Sequence, residues 1–179
     1  MNIFYLHPDP DVSARAMTDK HVVKMILESA QLLSTAHRYL DGEMFIQYSV
    51  NGRKLKRWSH PTLDDVLYKS THLNHPSGIW CREAEENYMW LYNHFMSLCD
   101  EYTIRYGKVH SSETRLGKVL ATPPKNISKM GPTPMRVAIT DHTHVVTGNP
   151  VQSYINYYIA EKLHNQKDKE RFYNILQLG

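Results

Sequence analysis

Glu28, Lys24 and His21 stand four and three residues apart. On a helix that spacing puts all three on one face. A carboxylate, an ammonium and an imidazole in one row offer a general acid or base, an electrostatic anchor and a proton donor. Glu28 is the best single candidate. Val22, Val23, Met25, Ile26, Leu27, Ala30, Leu32, Leu33 and Ala36 make its helix apolar nearly all round, which predicts a buried helix. A carboxylate there has its pKa moved up by desolvation or down by a neighbouring cation. The polar row continues through Gln31 and Thr35. Such groups need partners when buried, and a ligand cleft or a polar network to neighbouring helices would supply them. A Lys–Glu pair kept for packing specificity is the competing explanation.

A second set of residues suits the binding of a nucleotide. The chain has 11 His and 12 Tyr, rings that can stack on bases and donors that can hold phosphate. Trp80, Trp90, Tyr154 and Tyr157 are candidate stacking rings, with Asn87 on the mixed face of the same helix as Trp90. Arg82, Lys108, His72 and His75 are candidate phosphate contacts. A tyrosine-rich core is the plainer reading of the same composition. No Walker sequence, GxGxxG, HExxH or GxSxG is present, which weighs against the chemistries those motifs carry. His72 and His75, or His142 and His144, lack the spacing of a zinc signature. No metal and no cofactor are expected. Cys81 and Cys99 read as reduced, buried thiols.

The elements that must position these residues read as a mainly α, single domain over residues 1–179, with one small β-hairpin. An Asp9-Pro10 start predicts a short helix to Ala16. Thr18 or Asp19 caps the helix that carries Glu28, to about Tyr39. Phe45 to Trp58 reads as a hairpin about Asn51-Gly52. Its second strand is basic through Arg53, Lys54, Lys56 and Arg57, as a charged edge strand or a phosphate-facing flap. A short helix is predicted over 61–69, a polar loop over 70–78, and a long helix over 81–106 closed by Gly107. Ser111 and Ser112 cap another helix. Residues 122–149 are loop-rich, with a short strand over 136–140. Asn149-Pro150 opens a helix with a stripe of Val151, Tyr154, Ile155, Tyr158, Ile159 and Leu163, and a last helix covers 167–177.

The 179 residues and 20.9 kDa suffice for one core. Hydrophobic residues at 41% and charged residues at 22% exclude a collagen-like or wholly disordered chain. No apolar run approaches a membrane span, and the start has no signal-peptide pattern, so the expected place is the cytoplasm with no membrane partner. A net charge of +3 permits a phosphate-bearing partner and favours a small ligand over long duplex DNA. A homo-oligomer is left open.

Asp19-Lys20-His21-Val22-Val23, with Glu28 seven residues after His21, resembles the pyrimidine-dimer DNA glycosylase family of phage endonuclease V type. The resemblance is carried by about 35 residues near the start. That family is mainly helical and cleaves an N-glycosidic bond with such a glutamate and an N-terminal amine, which implies a catalytic role for Glu28 and one for His21. Leu27 stands where the family has an arginine, and Asn2 disfavours the removal of Met1 that frees the family's amine. The opening Met1-Asn2-Ile3-Phe4-Tyr5-Leu6, with Asn74-His75-Pro76 and Arg105-Tyr106-Gly107-Lys108-Val109-His110, also resembles small uncharacterised proteins of tailed phages. That implies work inside an infected bacterium, in the host cytoplasm. Three functions follow as expectations. The first is an enzyme cleaving an N-glycosidic or phosphodiester bond in a nucleotide or nucleic acid, using Glu28, Lys24 and His21. The second is a non-catalytic protein that sequesters a host immune signalling nucleotide. The third is a host-protein interaction module.

Overall fold

The computed structural model describes residues 1–178. Its helix starts follow from local side-chain chemistry. Asp9 accepts from the Asp11 and Val12 N–H groups and opens α1 (Pro10–Arg15). Thr18 accepts from His21 N–H and opens α2 (Asp19–Asp41). Asn149 caps α6 (Pro150–Glu161) and Asn165 caps α7 (Gln166–Leu176). With β1 (Glu43–Tyr48), β2 (Lys54–Ser59), α3 (Pro76–Glu83), α4 (Glu85–Tyr106) and α5 (Ser111–Leu116), the fold is mainly α with one small antiparallel hairpin.

The core forms where α2 and α1 both pack on α4. Met25, Ile26 and Leu33 from α2 and Tyr88, Leu91, Phe95 and Leu98 from α4 are buried there. The expected all-round burial of α2 is corrected: Val23 and Leu27 are 39% and 41% exposed. One face of α2 is open, and it runs beside Glu28. The N-terminus of α2 is fixed by Arg105, which bonds Asp19, Glu101 and the carbonyls of Met17 and Arg15. Arg171 reaches Asp19 as well, so α2, α4 and α7 share one ionic knot.

Three expected elements differ, each for a visible reason. Residues 61–69 form turns, not a helix. The Arg38 guanidinium sits inside that segment and donates to the carbonyls of Trp58, Asp64, Leu67 and Tyr68, and it pairs with Asp64. Carbonyls taken by an arginine are not free to make a helical ladder. The long helix over 81–106 is two helices. Ala84 is buried and extended (φ −147°, ψ 151°), and Glu85 N–H turns away to Ser128 O at 2.8 Å. Helix α3 also starts earlier, inside the expected loop, because His75 is its cap. Residues 136–140 make no strand: Ala138 gives its N–H to Tyr154 Oη and its carbonyl to Asn2 Nδ2. The stripe on α6 is mostly inward, but Ile159 is exposed. The hairpin turns where expected, at Gly52 (φ 72°), and begins two residues before Phe45.

Candidate active site

Glu28 is buried at 8% exposure, and its carboxylate meets the start of the chain. The Asn2 backbone N–H donates to Glu28 Oε2 at 3.0 Å, and the Met1 amino nitrogen lies 3.8 Å from the same oxygen. Lys24 Nζ is 3.4 Å from Oε1, with its own side chain largely in solvent. The three groups are therefore a carboxylate, a terminal amine and a flanking cation at the edge of the open face of α2.

Several contacts hold the first residues against α2. Asn2 Oδ1 accepts from the Ile3 and Phe4 N–H groups while Asn2 Nδ2 reaches Ala138 O. Leu6 N–H donates to Ser13 Oγ. The Phe4 ring stacks on His21 at 4.4 Å and 16°, with Tyr157 stacked at 6.2 Å and Tyr158 edge-on at 5.6 Å. Phe4 adopts φ 57°, left-handed backbone that a large side chain rarely takes. His72, in the loop on the other side, has φ 50°. Strained residues of this kind persist where the surroundings over-determine them, often at working sites.

His75 closes the site from the start of α3. Its Nδ1 accepts from Ser77 N–H. Its pKa is lowered, first by burial and then by the terminal amine and His72, so it sits near the amine as a neutral imidazole. His72 lies beside it, rings edge to face at 6.4 Å, and bonds Thr71 Oγ1. The start of the chain, Glu28, Lys24 and His75 thus form one cluster.

The other candidates lie elsewhere. His21 is seven residues before Glu28, about 10 Å along the helix axis. Its Nδ1 is 2.7 Å from Tyr158 Oη. Burial, helped by Lys162 and Lys24, pushes its pKa down to about 4, and its ring supports Phe4. Trp80 is buried, with its indole N–H on Thr133 O. Asn87 is buried and ties Trp80 O to Thr133. Tyr154 is buried beneath Ala138. These three are packing groups with no free face for a base. Trp90 is half-buried, donates to Pro8 O, and lies against Tyr5 and His94. Tyr157 is half-buried behind Phe4, with Lys162 over its ring. Arg82 donates to Leu73 O and covers the Tyr39 ring, toward the hairpin. Lys108 is exposed just past the C-terminal end of α4. Both cysteines are buried, and burial pushes the Cys81 thiol up to about 12, which makes a poor nucleophile.

Among the described residues, two clusters have metal-ligand residue types. His37, Asp41 and His60 approach within 4.8 Å, as do Asp141, His144 and Glu161. In the first, His60 Nδ1 accepts from the Thr62 and Leu63 N–H groups and both Asp41 oxygens accept from Lys125 and Asn126. That leaves the His60 proton on Nε2, the atom a metal would need bare. In the second, His144 Nε2 is already 3.1 Å from Glu161 Oε1 in a partly buried hydrogen bond.

Asn2, Phe4 and Ser13 were not legible as site residues. The only sequence signal for the amine was the resemblance near Glu28. A family model described as pyrimidine dimer DNA glycosylase matches residues 1–114, far beyond the 35 or so residues that carry that resemblance. No curated protein and no solved structure matches the chain. The matched stretch contains the start of the chain, Glu28, His72 and His75, and covers nearly two thirds of the 179 residues. The chain belongs to the pyrimidine dimer DNA glycosylase family.

Proposed function

We propose that the protein is a DNA glycosylase whose N-terminal amine attacks C1′ of a damaged pyrimidine nucleotide, with Glu28 assisting. The observation that supports this is the Met1 amine 3.8 Å from Oε2 of a buried glutamate. In the reaction a bond forms between the amine nitrogen and C1′. The N-glycosidic bond breaks, and its electron pair leaves with the base, which takes up a proton. The attacking nitrogen loses its proton toward the Glu28 carboxylate. Opening of the sugar ring then gives an imine between the chain and C1′. Throughout, the Glu28 carboxylate faces the positive charge that builds at the sugar. Removal of Met1 would leave the pairing intact, because the Asn2 nitrogen is 3.0 Å from the same oxygen.

The roles of the neighbours follow from placement. Lys24, exposed on the open face of α2, meets a backbone phosphate beside the damaged nucleotide and steadies the Glu28 charge. His75 has its Nδ1 taken by the Ser77 N–H, so its proton sits on Nε2, and it positions the start of the chain without moving a proton. His21 is a positioning residue that acts through Phe4.

The test is reductive trapping. Duplex DNA carrying a cyclobutane pyrimidine dimer is incubated with the protein and borohydride, which reduces an imine to a stable amine. A covalent adduct mapped to residue 1 or 2 is expected, and Glu28→Gln should bind the duplex but form none. No adduct and no released base would overturn the proposal, as would an adduct mapped to Lys24.

A further inference from the structure

The hairpin and the turns after it enclose a cavity of about 430 Å³, a volume within the range of small-ligand sites. The face of the hairpin that looks into it carries Phe45, Gln47 and Arg57. The opposite wall is the segment Asp64 to Ser70, with Arg115 behind it.

Two polar groups on this lining have no partner. Arg57 Nε and Ser70 Oγ are both buried and unbonded, and Ser70 is only 3% exposed. Buried donors are nearly always satisfied, so two orphans on facing walls mark where a ligand would complete the bonding. The lining also has four cations, Arg38, Arg57, Lys69 and Arg115, against Asp64 and Asp65. Arg38 is spent on Asp64 and on carbonyls, and Arg115 on the carbonyls of Val66 and Asp65. Arg57 has one bond, to Ser70 O at 2.8 Å, and Lys69 is exposed. These two, with Ser70, are free to take an anion. Phe45 pairs directly with Arg57 across the ladder and is 47% exposed. An aromatic face is thus beside a phosphate-sized set of donors, the arrangement that holds a base and its phosphate together.

We propose that this cavity binds a nucleotide unit, its phosphate on Arg57, Lys69 and Ser70 and its base on Phe45. The unit can be part of a DNA strand or a free nucleotide, because the recognised chemistry is the same. The inference stands apart from the reaction at Glu28, which lies about 20 Å earlier along α2 than the start of the hairpin.

Titration calorimetry on the full chain tests it, with 5′-dTMP, thymidine, inorganic phosphate and an undamaged duplex as probes. The nucleotide should bind at least about ten-fold tighter than thymidine or phosphate, since each of those fills half the site. Ser70→Ala should weaken 5′-dTMP by about ten-fold, the loss of one hydrogen bond to a charged group. The same change should leave the melting temperature of the free protein unchanged or higher, because it removes an orphan hydroxyl. Arg57→Gln should weaken binding further, and Glu28→Gln should bind 5′-dTMP as the parent does. Duplex that competes with 5′-dTMP supports the site and assigns it to a DNA strand. Duplex that does not compete supports it as a site for a free nucleotide. Absence of binding by 5′-dTMP and by the duplex would overturn the proposal, and so would binding of these two that is indifferent to Ser70→Ala and Arg57→Gln.

Discussion

Phe4 anchors the start of the chain against α2 and α6. Its ring is buried among His21, Tyr154, Tyr157 and Tyr158, and only Ile3 and Asn2 separate it from the Met1 nitrogen. Phe4→Ala should cost about 3–5 kcal/mol, the usual toll for a buried phenylalanine. In a chain of this length that lowers the melting temperature by about 6–20 °C. The catalytic effect is separate. An amine let loose by about 1 Å from Glu28 should lose about 10²-fold in rate. The assay is single-turnover base release from dimer-containing duplex at 20 °C, below both melting temperatures, with duplex affinity measured in parallel. The chemical rate should fall while affinity holds. Phe4→Leu, which keeps most of the bulk, should recover much of the rate. Phe4→Gly should be no less stable than Phe4→Ala despite its freer unfolded chain, because φ 57° suits glycine and strains alanine. A variant that loses stability as expected but releases base at the parent rate would refute the claim that Phe4 positions the amine.

Further outcomes follow from the same geometry. Glu28→Gln should lower single-turnover base release by about 10²–10⁴-fold with duplex affinity within a few-fold of the parent, and equal losses in both would assign Glu28 to binding. Acetylation of the terminal amine, or residues added ahead of Met1, should abolish imine trapping; an adduct formed as before would remove the amine from the chemistry. Acid should destabilise the fold through His37 and His94, both buried and pushed down from 6.5 to about 4 by that burial. Below pH 6.5 the unfolded imidazoles take up protons that the folded ones refuse. Stability is therefore fully present above that pH and lost as pH falls toward 4. At pH 5.5 the two together cost about 3 kcal/mol, a drop of about 6–12 °C from pH 7.5, and a melting temperature flat over that range would contradict it.

The helical frame was legible because its signals are local. Thr18, Asn149-Pro150 and Gly107 act within one turn of themselves, and the helices start or stop there. The errors came from partners distant in sequence. Nothing near 61–69 says that Arg38 will take its carbonyls, and nothing near Ala84 says that Ser128 will take the next N–H. The site divides the same way. Lys24 and Glu28 are one helical turn apart, so their pairing could be read from spacing. Trp80, Asn87 and Tyr154 looked like binding groups because composition does not say which polar side chains are consumed by distant backbone. All three are, by Thr133 or Ala138.

The family match ends at residue 114, yet the amine is held by residues beyond it. Asn2 is tied to Ala138 O, Ala138 to Tyr154, and Phe4 packs on Tyr157 and Tyr158. Tyr158 in turn bonds His21 Nδ1 and the Thr18 N–H at the start of α2. The matched part supplies Glu28 and the nitrogen beside it, while the later part sets where that nitrogen stands. Tyr158→Phe separates the two contributions. It keeps the ring against Phe4 and Phe172 but leaves the buried Thr18 N–H without its acceptor, at a cost of about 1–3 kcal/mol. It also frees the His21 ring to turn under Phe4. A fall in the rate of base release larger than the fall in duplex affinity would show that α6 sets the geometry at Glu28. Equal rates in parent and variant would confine α6 to stabilising the fold.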